Sequence, residues 1–252
     1  MVEIVDLGIS GRTAAVAAAT SGLGLASAVA LANEGVRVAI CGRDKGRVDD
    51  AMVTIGHGAV GLVCDVSTPE GASGFIDSAA DALGHLDIVV PNAGGPPPGT
   101  FASTAIDAYP EALNLNLMSV VAMCKAAVPS MQERKWGRVV AITSISVRQP
   151  IATLILSSTA RAGATAFLKT LAREVAGDGV TVNSVQPGLH ATNRLLSLHG
   201  GNAEAAAAGI PAGVVGDPAD FGAIVAFLCS EQARFLTGVA VNVDGGAYAG
   251  LQ

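Results

Sequence analysis

Thr13-Ala14-Ala15-Val16-Ala17-Ala18-Ala19-Thr20-Ser21-Gly22-Leu23-Gly24 decides how this chain is read. The apolar start reads as a buried strand, and the Ala/Leu/Val pattern after Gly24 reads as a helix packed on it. Glycines at such a strand-to-helix turn let the backbone approach a pyrophosphate, and the first helical turn offers N–H groups without partners. A Gly-x-Gly turn alone is a weak signal, because similar turns serve packing. Its place after the first strand of a βαβ unit gives it meaning.

Outward from that turn, short apolar runs alternate with longer alanine-rich segments. The expected strands are 13–17, 36–41, 59–64, 87–91, 138–142, 180–185 and 239–243. Ser67 and Glu70 have capping-box spacing before the third helix. Asp217 then Pro218 is an N-cap followed by an N1 proline, and Asp220 adds negative charge to the same turn. Repeated βαβ units with right-handed crossovers give an α/β fold, a doubly wound parallel sheet with helices on both faces. Residues 1–252 read as a single domain. Leu189 to Pro211 has weak strand signal and follows the sixth strand at its carboxyl end, where a substrate lid is expected at 189–211.

Half of the 252 residues are apolar, 14% are charged and 4% are aromatic, which implies a large core packed through small side chains. The formal net charge of −6 and the lack of a basic stripe argue against nucleic acid and against an anionic membrane surface. Apolar stretches are interrupted before about 18 residues, so no membrane span is expected. Cys41, Cys64, Cys124 and Cys229 form no C-x-x-C pair and read as reduced, buried thiols, with no metal site expected. A cytoplasmic protein is the expectation, since Met1 to Ser10 does not read as a signal peptide.

The turn resembles the T-G-x-x-x-G-x-G signature of the short-chain dehydrogenase/reductase family, with Gly22 and Gly24 as its later glycines and Ala17-Ala18 replacing the leading Thr-Gly. Further motifs agree in order: Asp65-Val66, Asn92-Ala93-Gly94, Asn116, Ser144, Pro187-Gly188 with Thr192, and Asp244-Gly245-Gly246. The resemblance covers about residues 10 to 248. It implies a Rossmann-like sheet of about seven strands and a dinucleotide held by Thr20, Ser21, Gly22, Leu23, Gly24, Arg43, Asp65, Val66, Asn92, Ala93, Gly94, Arg161, Pro187, Gly188 and Thr192. The second strand ends in Cys41-Gly42-Arg43. Gly42 offers no carboxylate to the ribose hydroxyls, and Arg43 can pair with a 2′-phosphate, so NADP(H) is expected over NAD(H).

The family's reaction centre is a Ser, a Tyr thirteen residues later and a Lys four beyond. This chain has Ser144, Ser157 and Arg161 at that spacing. A phenol near pKa 10 can be depressed by a cation, whereas an aliphatic hydroxyl has no accessible ionisation. Arg161 keeps the charge and a hand for the ribose but does not release a proton. Asn116, Ser144, Ser157 and Arg161 are therefore the catalytic candidates of an altered relay. His190 offers a titratable group on the loop after Pro187-Gly188, either as a replacement acid or as an exposed loop residue. Arg148 reads as an anion-binding or a solvated side chain.

The expected function is an NADP-dependent oxidoreductase acting on a carbonyl or alcohol. The alternatives are an NADP(H)-binding sensor or structural subunit without hydride transfer, and a non-redox enzyme on the same scaffold. Gly95–Thr104, stiffened by Pro96-Pro97-Pro98, and the expected lid carry few charges, which suggests a small or moderately apolar substrate. The resemblance further implies a homotetramer, with contacts through the helix of Asn116 and the helix after Arg161, where Ala160, Ala162, Ala164 and Ala166 allow close approach.

Overall fold

A computed structural model describes residues 5–193, 195 and 206–251. Seven parallel strands form one sheet: β1 (Thr13–Val16), β2 (Arg37–Gly42), β3 (Val60–Val63), β4 (Ile88–Val90), β5 (Gly137–Ile142), β6 (Val180–Pro187) and β7 (Ala240–Val243). Their order is β3-β2-β1-β4-β5-β6-β7, so the winding reverses between β1 and β4. The loops leaving these two strands part there and open a crevice at the carboxyl edge. Most expected strand ends agree within a residue, and β6 runs two residues further, to Pro187.

Helices sheathe both faces of the sheet. One face carries α1 (Gly22–Asn33), α2 (Lys45–Ile55) and α7 (Pro218–Cys229), joined by a core that includes Leu31, Ile55 and Phe221. The other carries α3 (Pro69–Leu83), α5 (Ser119–Glu133) and α6 (Ile155–Val175), around Phe75, Met123 and Leu168. Small residues decide how closely helices meet. A Cβ at Gly222 of α7 would collide with the Ala26 carbonyl of α1. The short α4 (Ala108–Leu113) continues through a π-helical turn, Asn114–Met118, into α5. This stretch, Ala108–Glu133, is apolar and long enough to cross a membrane by length and composition, with mean hydropathy 1.3. Val120, Met123, Cys124 and Met131 bury its inner face in the core, as expected of a core helix.

The caps agree in part. Asp217 Oδ1 accepts the Ala219 N–H at 2.8 Å ahead of α7. At α3 the cap is Thr68, whose Oγ1 accepts the Gly71 N–H at 3.2 Å, and not Ser67. Pro69 takes N1, so the helix starts one residue later than the Ser67–Glu70 spacing implied. Of the expected lid, residues 194 and 196–205 lie outside the described residues. Its start is anchored: Gly216 N–H donates to Leu189 O, and Ala191 N–H to Gly216 O, both at 2.9 Å.

Candidate active site

The strand-to-helix turn is stitched to both neighbouring strands. Ala17 N–H donates to Val90 O and Ala19 N–H to Cys41 O, each at 3.1 Å. Asn92, just past β4, donates from Nδ2 to Ala17 O at 3.1 Å and to Ala18 O at 3.3 Å. Its amide therefore fixes the turn from across the crevice. Gly24 makes room for that amide, because a Cβ there would lie 2.7 Å from Asn92 Nδ2 and 3.0 Å from Ala18 O. Ala18 adopts the left-handed backbone that glycine favours, with φ +47°. Ser21 precedes α1, yet its hydroxyl caps no helix N–H. The N-terminal amides of α1 thus lack a side-chain acceptor beside the crevice, which suits an anionic ligand.

Across the crevice, Ser144 follows β5 and begins a short 3-10 turn, its Oγ accepting the Ser146 N–H at 3.1 Å. Ser157 and Arg161 lie four residues apart on one face of α6, 7% and 8% exposed. A buried guanidinium must spend its donors, and this one spends them on main chain. Nη1 donates to Ile142 O at 2.9 Å and Thr143 O at 3.3 Å, and Nη2 to Ala93 O at 3.3 Å. Arg161 thereby ties the carboxyl ends of β4 and β5 together. Asn116 is carried by the π-helical turn, a distortion that often marks functional positions. Its Nδ2 donates to Gly94 O at 3.0 Å, and its buried Oδ1 has no partner among the described residues.

These pieces enclose a cleft of about 330 Å³. Ser21, Gly22, Leu23 and Gly24 line one wall, with Asn92, Ala93 and Gly94 at the switch point. Ser144, Ser157, Arg161, Pro187 and Thr192 line the rest. Thr20, Arg43, Asp65, Val66 and Gly188 do not line it, and neither does Asn116, which bonds the wall residue Gly94 from behind. Arg43 stands exposed just past β2. Asp65 is exposed past β3, with Oδ1 accepting the Ser67 N–H at 2.9 Å. Ala18, Gly95, Ile142, Thr143, Leu154 and Asn193 complete the lining, and Leu154 lies in no stretch that the sequence marked. Gly95 is the only residue of Gly95–Thr104 to line the cleft. Pro96, Pro97 and Pro98 border a separate hollow of about 480 Å³. Another hollow, of about 740 Å³, runs along the outside of α1 and α7 and touches none of the four catalytic candidates.

Several expectations are corrected. His190 is neither a donor in the cleft nor an exposed loop residue. It is 5% exposed, meets the Phe221 ring edge-on at 5.2 Å between centroids, and does not line the cleft. Burial pushes its pKa below the usual histidine value, opposed by the Gly188 carbonyl and by Asp217 and Asp220. Arg148 is bound to the protein, with Nη2 donating to Ala240 O at 3.1 Å and the guanidinium 5.9 Å from the Tyr248 ring centre. Neither Tyr109 nor Tyr248 lines the cleft. Cys64 is half-buried rather than buried, and the neighbouring Cys41 thiol pulls its pKa below the usual thiol value.

The family model described as Enoyl-(Acyl carrier protein) reductase matches residues 17–248. The chain is 31% identical to the 3-oxoacyl-[acyl-carrier-protein] reductase of Vibrio cholerae over 242 residues, covering 96% of this chain and 99% of that protein. The chain belongs to the short-chain dehydrogenase/reductase family. It is also 34% identical to dehydrogenase/reductase SDR family member 4 of Homo sapiens over 247 residues, covering 94% of this chain and 88% of that one. Among solved structures, L-sorbose reductase from Gluconobacter frateurii, complexed with NADPH and L-sorbose, superposes with a TM-score of 0.91 at 31% identity. That match covers 98% of this chain and 100% of the other. The protein is thus an enzyme of the short-chain dehydrogenase/reductase type, with an NADP-type oxidoreductase character at family level.

The residues present fit the family's dinucleotide. The N-terminus of α1, without a side-chain cap, borders the cleft, and no atom lies within 4 Å of a Cβ built on Gly94. Ser157 and Arg161, the residues expected to form the altered relay, both line the cleft.

Proposed function

We propose that the protein is an NADP(H)-dependent oxidoreductase that interconverts a carbonyl and an alcohol without a tyrosine proton donor. The observation that carries this reading is the meeting, in one cleft, of the glycine turn with Ser144, Ser157 and Arg161. A protein that only bound a dinucleotide would have little use for the serine side of that cleft. NADP(H) is favoured by Gly42, which presents no carboxylate, and by the exposed Arg43 beside it.

When bound, the dinucleotide supplies or accepts the hydride. The Ser144 and Ser157 hydroxyls hold the substrate oxygen by hydrogen bonds. No tyrosine lines the cleft, so in the reductive direction water delivers the proton that turns the alkoxide into the alcohol. Arg161, fixed by three carbonyls, keeps a permanent positive charge beside the developing anion and cannot itself be the acid. Asn116 holds the Gly94 carbonyl and so the wall that follows β4. A small or moderately apolar substrate, a single domain, a cytoplasmic location and a homotetramer belong to the same reading.

The test mixes purified protein with NADPH and a panel of ketones, diketones and quinones, following loss of NADPH absorbance. Turnover of any of them supports the proposal. Tight NADPH binding with no turnover across the panel favours a sensor or structural subunit instead.

A further inference from the structure

Two arginines, Arg43 and Arg47, follow β2 in the βα unit beside the glycine turn, and sequence spacing pointed to only Arg43. Arg47 stands in the first turn of α2, where Asp44 caps the helix by accepting its N–H at 2.9 Å. Its guanidinium does not follow the helix. It crosses to the neighbouring βα unit, and Nη2 donates to Ser21 Oγ at 3.1 Å. Ser21 lines the cleft, and its hydroxyl caps no N–H of α1. The other charges nearby are already engaged. Lys45 pairs with Asp49 at 2.6 Å, Asp44 serves the cap, and Asp65 turns onto the Ser67 N–H. The floor between the two units is Gly42, where a Cβ would collide with Thr20 Cγ2. The space that a ribose-binding acid would fill in an NAD enzyme is therefore taken by Thr20, and the rim above it is cationic.

We infer that Arg47 is a cofactor-discriminating residue whose guanidinium exchanges the Ser21 hydroxyl for a phosphomonoester on the adenosine ribose. This rests on the NADP(H) reading above. A neutral hydroxyl is a weak acceptor and a phosphate dianion a strong one, so the exchange is downhill. The Ser21 bond holds the guanidinium near its target beforehand, which lowers the ordering cost of binding. Arg43 approaches from the end of β2 and Arg47 from α2, so the phosphate is gripped from two elements.

The test is calorimetric titration of the full chain with NADPH, NADH, adenosine 2′,5′-bisphosphate and adenosine 5′-monophosphate. The last two differ only in the 2′-phosphate, and neither requires turnover. Wild type is expected to favour the bisphosphate, and Arg47→Ala to lose about 10- to 100-fold for bisphosphate and NADPH, the scale of a charged hydrogen bond. Monophosphate and NADH should be nearly unchanged, and Arg47→Lys should recover part of the loss. If Arg47→Ala keeps the wild-type preference while Arg43→Ala abolishes it, the role of Arg47 is overturned and the NADP(H) reading stands. If wild type binds bisphosphate and monophosphate equally, both fall together.

Discussion

At Arg161 a single guanidinium does two jobs that can be separated. Its three carbonyl bonds hold β4 against β5, and its charge sits beside Ser157 in the cleft. Arg161→Ala should lower turnover on the order of 10²-fold, the scale of one electrostatic donor, and should also lower the melting temperature by exposing buried carbonyls. Ser157→Ala should stay within about tenfold of wild type, because a serine hydroxyl cannot be acidified enough to be the donor. The comparison is made at saturating NADPH. An inactive Ser157→Ala beside a nearly silent Arg161→Ala would reverse the roles. Ala18 offers a second test. An alanine at φ +47° carries a steric cost that glycine avoids, so Ala18→Gly should raise stability by about 1 kcal/mol, read as a higher melting temperature.

Between elements, the loop after β6 is docked on α7 by His190 and Phe221. That contact makes stability depend on pH in a definite sense. The folded-state pKa of His190 is depressed by burial, so the unfolded chain takes up the proton first as pH falls. The contribution is intact above the unfolded histidine value of about 6.5 and is lost progressively below it. Denaturant titrations at pH 7.5 and 5.5 should show a smaller loss of stability for His190→Phe than for wild type. An identical loss in both proteins would place the sensitivity elsewhere. Gly216 limits what this contact tolerates, since a Cβ there would fall 2.6 Å from the imidazole. The histidine was legible as a residue near the site, but its burial was not. Only the pairing of Leu189–Ala191 with Gly216 turns the ring inward, and that pairing spans a segment with no sequence periodicity.

Over the whole molecule, the sheet was read well because buried parallel strands are short apolar runs between helices, and the strand ends shifted by little. The glycine turn was legible because the positive φ of Gly22 and the close approach at Gly24 call for glycine, whereas Asn92-Ala93-Gly94 was legible only through the family resemblance. The carbonyl bonds of Arg161 were not, since main-chain acceptors leave no mark in side-chain spacing. Assembly is a mixed case. Ala160 and Ala164 of the expected contact stripe are turned into the core, so only Ala162 and Ala166 face outward on α6. Large apolar side chains are exposed at several other places on the described residues, and two groups of them are close in sequence. Phe101 and Ile106, 86% and 84% exposed, precede α4, while Phe235 at 98%, Leu236 and Val239 precede β7. Two separate patches suit two different two-fold contacts, as in a tetramer built from dimers. Light scattering should give the mass of four 25.0 kDa chains, and Phe235→Glu should reduce it to that of two. A wild-type monomer at every concentration would count against assembly.

The contact between Gly42 and Thr20 also bears on how such a protein changes over generations. A lineage drifting toward the unphosphorylated dinucleotide would need an acid at residue 42, and the threonine methyl stands where that side chain must begin. The acid is accommodated only after residue 20 has been made smaller or has moved. Until the acid appears, shrinking residue 20 brings no new ribose contact. Cofactor preference is in this way held by a two-step lock whose first step goes unrewarded. Such a lock can outlast the selection that built it.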